Sequence, residues 1–418
     1  MIGSNRSFGY DAAASFANFV ATPSLWDAFA VRTVIPTIPI QYVATNDHVL
    51  LSLLSHVIYS LSGARNEVVY RSLPALAAGG TVAAATTVLA RRFGLVAGVC
   101  AGIYIATDPL FVENSRDLRG YSLAALGSVV ATLILAGRWT RWRLVAYAVV
   151  MGLAIASQLF AGVVLLCHVA WIATRRSRSD LFRLAPSWLG AALIGLAANA
   201  GVAFTELTQR GLPAPLFYPT FPRDLVFFLV GAPVLLPMGL WLATAGLGLW
   251  TQRRRAWLWA VVGVLTLVVA VLWLGLQPAF LYPRFFAFLV PGVAFLMAAA
   301  IQRWWVLAPV VVLGAAAAVF AQIPTYTVDP LALPQAAAAV RQVETSGGRA
   351  CVIHSDEQVL GAYVSGFTVV TRSDQLATCD AVVVVSWGVD LALRDEAARE
   401  FPRLTTLQAY YPAVVLKR

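Results

Sequence analysis

The stretch WRLVAYAVVMGLAIASQLFAGVVLLCHVAWIAT, residues 142–174, is apolar almost throughout. Its reading decides the fold. Counting it as one membrane span or as two reverses the direction of every later segment. A single helix of roughly 33 residues would extend about 50 Å, against a hydrocarbon core of about 30 Å. The polar pair Ser157–Gln158 stands near the middle of the run. Splitting there gives two short spans, at about 142–157 and 158–174.

Composition asks for the same treatment of most of the chain. Of its 418 residues 60% are hydrophobic and only 12% charged, with mean hydropathy +0.76. A soluble domain carries about 25% charged residues. Further apolar runs suit spans at about 69–90, 94–112, 118–137, 184–206, 225–251, 256–276, 285–302 and 304–322. Basic residues gather between these runs. The clusters are Arg91 and Arg92; Arg138, Arg141 and Arg143; Arg175 to Arg183; Arg253, Arg254 and Arg255; and Arg303. With the split at Ser157 every cluster falls on one side, which the positive-inside rule makes the cytoplasm. The net charge of +10 is therefore read as membrane orientation, and nucleic-acid binding is set aside.

The other side receives residues 1–68, 113–117, 207–224, 277–284 and everything after about 323. The opening MIGSNRSFGYDAAASF (1–16) has no apolar core and no signal peptide. We expect a first helix to be missing before it. Residues 14–34, interrupted by Pro23, Asp27 and Arg32, and residues 48–62 read as helices lying at the outer interface. After 323 the character changes. ACVIH (350–354), FTVVT (367–371) and AVVVVSW (381–387) are β-branched runs, with helical patterns at LPQAAAAVRQVE (333–344) and DLALRDEAAREF (390–401). This alternation suggests a small α/β domain. No Gly-rich phosphate loop follows its strands. The expected fold is thus a multi-pass α-helical membrane protein of about ten spans with a small C-terminal extracytoplasmic α/β domain. Residues 1–68 form an outer loop with interfacial helices, 69–322 the transmembrane domain, and 323–418 the outer domain.

Cys100 and Cys167 fall within apolar spans and read as small core residues. Cys351 begins one strand and Cys379 precedes another. Adjacent strands would let them bridge in an oxidising compartment, and two separate buried thiols are the alternative.

The outer face collects the polar residues that could do chemistry. Asp11 lies in YDAA (10–13), and Asp47 and His48 in NDHVLL (46–51). Asp117, Arg119 and Tyr121 lie in SRDLRGYSL (115–123), and Arg284 in YPRFF (282–286). Carboxylates at such a surface serve as bases or metal ligands. Arginines grip phosphate with a planar fork.

This order of motifs resembles the membrane-embedded C-type (GT-C) glycosyltransferases, in particular the dolichyl-phosphate-mannose protein mannosyltransferase and aminoarabinose transferase-like group. In that pattern an acidic residue of the first outer loop precedes a polar–aliphatic helix opening, then Ser-x-Glu-x-Arg-x-Tyr, then Pro-Arg-Tyr. Ser115, Asp117, Arg119 and Tyr121 occupy the third element, with Asp for Glu. The resemblance implies inverting transfer of a sugar from a polyprenyl-phosphate donor to an acceptor glycan, lipid or protein. It implies an integral plasma (inner) membrane protein with its active site on the extracytoplasmic side. By the same carry-over Asp11 is the general base, Arg119 and Arg284 steady the leaving phosphate, and Asp47 and His48 line the donor site. A divalent metal cofactor is left open. Ala12 stands where the family usually has Glu, and Val49 and Leu50 replace paired prolines.

Plainer readings compete at each position. Asp11 and Asp47 suit helix caps. Asp117 and Arg119 suit a solvated ion pair, although exposed pairs contribute only about 0–1 kcal/mol. Arg284 suits snorkelling to headgroups, and His56 and His168 suit packing. A flippase for lipid-linked sugars, or a catalytically inactive assembly protein, are the alternative functions. No internal repeat of the kind common in transporters is visible.

Overall fold

The computed structural model describes residues 10–31, 47–64, 67–208, 220–231, 235–276, 282–327, 333–353, 363–384, 403–406 and 414–417, with scattered residues between 360 and 399. The chain divides into two compact units, one of residues 48–51 and 72–323, the other of 1–47, 52–71 and 324–418.

The first of these is helical. All ten apolar stretches expected as spans are helical over most of their length. The run at 142–174 breaks where its polar pair stands. One helix, Arg141–Ser157, ends there, Gln158 adopts an extended conformation, and a short 3-10 turn leads into Gly162–Ala173. Among the described residues, Glu67–Phe93, Arg178–Ala198, Ala256–Leu274 and Pro283–Arg303 are each long and apolar enough to cross a membrane. Leu95–Thr107 and Pro109–Ser115, bent by 60°, make a further candidate as a broken span. Tyr121–Ala136, Leu159–Ala173 and Leu307–Ile323 are shorter apolar helices. Breakers set two of the helix ends: Pro109 follows Asp108 in the bent pair, and Asn199 separates Arg178–Ala198 from Ala200–Thr208.

Small residues set how closely these helices pack. Arg141–Ser157 lies against both Tyr121–Ala136 and Arg178–Ala198. A β-carbon on Gly152 would come within 2.6 Å of Ile194, and one on Gly195 within 2.4 Å of Ile155. Leu235–Gln252 packs on Val290–Arg303, where a β-carbon on Gly248 would meet the Leu296 carbonyl at 1.9 Å. In an apolar medium such close backbone approach, not the hydrophobic effect, drives helix association. Trp241 is fully buried and meets Tyr104 edge to face. The Tyr104 hydroxyl donates to the Leu229 carbonyl.

The second unit contains the described part of residues 14–34 and most of residues 48–62, the two segments expected to be interfacial, and both are helical. Tyr10–Ser15 runs on into a π-helical turn, Phe16–Val20, and a 3-10 turn follows at Leu25–Phe29. Ser24 and Asp27 cap that turn reciprocally. Val49–Ser62 is the other helix. Phe16 meets Tyr59 and Tyr70 edge to face. The same unit carries the C-terminal α/β portion, in which the helix Leu333–Thr345 precedes a mixed sheet. Its strands are β1 (Ala350–Ile353), β2 (Thr368–Val370), β3 (Ala381–Val384), β4 (Arg403–Thr406) and β5 (Val414–Lys417), in the order β2-β1-β3-β5-β4. β2 and β3 flank β1 in parallel, and β5 is antiparallel to both β3 and β4. β1 and β3 are buried on both faces, which explains their unbroken apolar runs. Cys351 and Cys379 form a disulfide with Cα atoms 5.9 Å apart. The helical pattern at 390–401 lies largely outside the described residues.

Candidate active site

The site grows from the turn Arg116–Gly120, between the helices Pro109–Ser115 and Tyr121–Ala136. Asp117 tightens this turn. Its carbonyl accepts from the Arg119 amide at 2.7 Å, and its Oδ1 accepts from the Leu118 amide at 3.0 Å. The turn thereby directs Arg119 inward, where it is 1% exposed. Arg119 Nε lies 3.9 Å from Asp117 Oδ2, and Asp117 remains partly open to solvent.

His48 reaches the same place from another part of the chain. Its Nδ1 lies 2.9 Å from the Ser157 carbonyl and its Nε2 3.4 Å from Arg119 Nη1. A carbonyl only accepts and a guanidinium only donates. These partners assign the neutral imidazole with its proton on Nδ1 and the Nε2 lone pair towards Arg119. Both nitrogens are thus engaged, which is a poor arrangement for a metal ligand. Among the described residues no three His, Cys, Asp or Glu side chains group as a metal site.

Gly120 makes this approach possible. A β-carbon there would sit 2.0 Å from the Ser157 carbonyl and 3.1 Å from His48 Nδ1. The break at Ser157–Gln158 therefore does more than separate two helices. It frees a carbonyl for His48.

Aromatic rings continue the site towards Arg284. Tyr121, 1% exposed, meets His48 edge to face at 5.1 Å and stacks on Phe285 at 6.3 Å. Phe285 stacks on Phe160 at 5.4 Å. Arg284 lies over Tyr282 at 4.9 Å and over Phe285 at 6.0 Å. His48, Asp117, Arg119 and Tyr121 are thus gathered in one cluster, linked to Arg284 through Phe285.

The two remaining sequence candidates belong to the other unit. Asp11 lies in the first turn of Tyr10–Ser15, and its side chain falls outside the described residues. Asp47 is 7% exposed, and its Oδ1 accepts from the Ser52 hydroxyl at 3.0 Å. Among the described residues Oδ2 has no hydrogen-bond partner. Burial pushes the Asp47 carboxyl well above the ordinary carboxylate range, and the Ser52 bond only partly opposes this. His56 is an internally satisfied histidine, with Nδ1 3.0 Å from the Val20 carbonyl and Nε2 3.1 Å from the Ser60 hydroxyl. His168 is likewise held, between the Tyr147 and Thr132 hydroxyls.

Sequence reasoning passed over three contributors. The Ser157 carbonyl carries no side-chain signal. Phe160 reads as one apolar residue among many. Asp108 is fully buried. Its Oδ1 caps Pro109–Ser115 through the Phe111 amide at 2.9 Å, and its Oδ2 has no partner among the described residues. The Asp-Pro pair after an apolar run was a readable sign of this cap.

No family model and no curated protein matches the chain. Among solved structures, ArnT from Cupriavidus metallidurans in the apo state is similar with TM-score 0.64 at 13% identity, over 99% of this chain and 94% of that one. ArnT from the same organism bound to undecaprenyl phosphate is similar with TM-score 0.60 at 14% identity, over the same shares. Over nearly its whole length this chain thus has the fold of these ArnT structures.

Proposed function

We propose that the protein is a membrane glycosyltransferase that takes a sugar from a polyprenyl-phosphate donor and places it on an acceptor at the extracytoplasmic face. The observation that carries this reading is the buried Arg119, held beside neutral His48 and at the start of the helix Tyr121–Ala136. A buried guanidinium at a helix N-terminus attracts an anion from two sources, its own charge and the helix dipole. The likeness to an ArnT structure bound to undecaprenyl phosphate supports a lipid phosphate as that anion. Tyr121, Phe285 and Phe160 supply an apolar floor beside it.

In the proposed reaction Asp11 takes the proton of the acceptor hydroxyl or amine. The acceptor atom attacks the anomeric carbon from the face opposite the phosphate. The bond from that carbon to the phosphate oxygen breaks with inversion, and polyprenyl phosphate leaves. Arg119 and Arg284 hold the charge that develops on it. His48, with its lone pair on Arg119, orients the guanidinium and does not itself exchange a proton. The arginine clusters support a cytoplasmic side opposite this site.

The test is turnover of a radiolabelled polyprenyl-phosphate sugar by the purified protein. Release of polyprenyl phosphate with transfer of the label supports the reading. Movement of intact donor across a vesicle, without release, would replace it with a flippase. Asp11→Asn keeps size but removes basicity, and is expected to lower transfer by about 10²–10⁴-fold with donor binding retained. Arg119→Ala is expected to weaken donor binding instead. Normal transfer by Asp11→Asn would move the base elsewhere, with Asp47 next.

A further inference from the structure

The helix Tyr121–Ala136 carries the candidate active site at its first residue and a different cavity at its last. A cleft of about 490 Å³ opens there, lined in part by Gly137, Arg138, Trp139, Arg176, Asp180 and Arg183. A smaller one of about 260 Å³ shares Trp139 and Arg176 with it and adds Trp171 and Arg175. These arginines are exposed, yet Arg176 and Arg183 are both held against Trp139. The Arg176 guanidinium lies 5.2 Å over the Trp139 ring. Arg183 Nη2 donates to the Trp139 carbonyl at 2.6 Å, and Trp139 Nε1 donates to the Leu135 carbonyl at 2.8 Å. The one carboxylate on this wall, Asp180, is turned to the cap of its own helix, accepting from the Ser177 amide at 3.3 Å and hydroxyl at 3.1 Å. Three arginines thus line the larger cavity, and among the described residues no acid forms an ion pair with them.

Positive charge at the cytoplasmic ends of spans is general. A cleft in which one guanidinium is stacked on an indole ring and a second is bonded to the carbonyl of the same residue is not. Arginine presents paired N–H donors that match two phosphate oxygens. Prior fixation lowers the entropy lost on binding. Tryptophan suits the level where headgroup meets acyl chain.

We propose that this cleft binds a phosphate ester, supplied as the headgroup of an anionic membrane phospholipid. The site is separate from sugar transfer and stands or falls independently of it.

The experiment uses the full chain, delipidated and placed in phosphatidylcholine nanodiscs. Bound phosphatidylglycerol is counted by native mass spectrometry during titration. A parallel arm offers glycerol phosphate in solution. Retention of phosphatidylglycerol over phosphatidylcholine is expected. Arg176→Gln should weaken it about fivefold, the factor for one arginine lying directly against an anionic headgroup, and R138Q/R176Q/R183Q should weaken it further. Arg176→Lys keeps the charge but loses the stacked fork, and should fall between wild type and Arg176→Gln. Arg254→Gln removes the same charge outside the cleft and should change retention by less than about twofold. Arg176 is exposed, so the single substitutions decide the matter even if the triple variant misfolds. Equal losses in Arg176→Gln and Arg254→Gln, or no preference for phosphatidylglycerol, would overturn the site. Arginine-dependent binding of glycerol phosphate without binding of the lipid would overturn the lipid as its source.

Discussion

Gly120 is not needed here for its backbone freedom, since its φ is −77°. It is needed for the space a β-carbon would fill, 2.0 Å from the Ser157 carbonyl. Gly120→Ala must therefore push two backbones apart and break the His48–Ser157 bond. Overpacking of this kind costs about 1–3 kcal/mol. A lower unfolding temperature in detergent together with weaker donor binding is expected. Unchanged stability with normal binding would mean that the turn relaxes without disturbing His48. Asp47 is the other single residue with a readable consequence. Burial raises its folded-state pKa above the ordinary 3.8. Between those two values the folded chain holds a proton that the unfolded chain has released, so this contribution to stability falls as pH rises and is lost above the folded value. Asp47→Asn keeps an acceptor for Ser52 and removes the titration. Its unfolding temperature, followed from about pH 4 to 8, should decline less with rising pH than that of wild type. Parallel curves would show that Asp47 does not titrate in that window.

The disulfide is the clearest stabilising device among the elements. It ties β1 to the segment before β3 across a sequence separation of 28 residues, and closing a loop of that size stabilises by about 3–4 kcal/mol in the chain-entropy account. C351S/C379S should leave the C-terminal portion more open to limited proteolysis, and alkylation of the wild type should rise after reduction. Equal alkylation before and after would show two free thiols. The bridge was only one of two options in the sequence, because spacing says nothing about the distance between two strand ends. The helices were far more legible. Their apolar runs and arginine clusters carry a strong signal, and Ser157–Gln158 marked a real break. The strands β1, β2 and β3 were legible as β-branched runs, with β1 and β3 also fully buried. β4 (RLTT) and β5 (VVLK) were not, since four residues with a charge at one end rise little above background. Within the site, SRDLRGYSL and YPRFF pointed to Arg119, Tyr121 and the neighbourhood of Arg284. What fixes them there could not be read, because a backbone carbonyl and the stacking of Phe160 on Phe285 depend on tertiary approach.

Across the whole molecule the strongest expectation concerns sidedness. On arginine asymmetry Arg254 is expected in the cytoplasm and Gly347 outside. With the native thiols accounted for, a cysteine placed beside Gly347 should react with an impermeant thiol reagent in intact cells, and one beside Arg254 should react only after permeabilisation. Labelling beside Arg254 in intact cells would invert the orientation and, with it, the side assigned to the proposed reaction. The disulfide argues for the same side, since such bonds persist in oxidising compartments.

The strand order β2-β1-β3-β5-β4 has a consequence for how the chain is made. Of the five described strands β5 is the last to leave the ribosome, yet it occupies an interior place, with β3 on one side and β4 on the other. Until it arrives β4 has nothing to pair with and β3 presents an open edge. Synthesis alone cannot build this sheet strand by strand. Nearly the whole C-terminal portion must have emerged before its folding can finish, and the bare edge of β3 is where a chaperone or a stray strand would find purchase in the meantime.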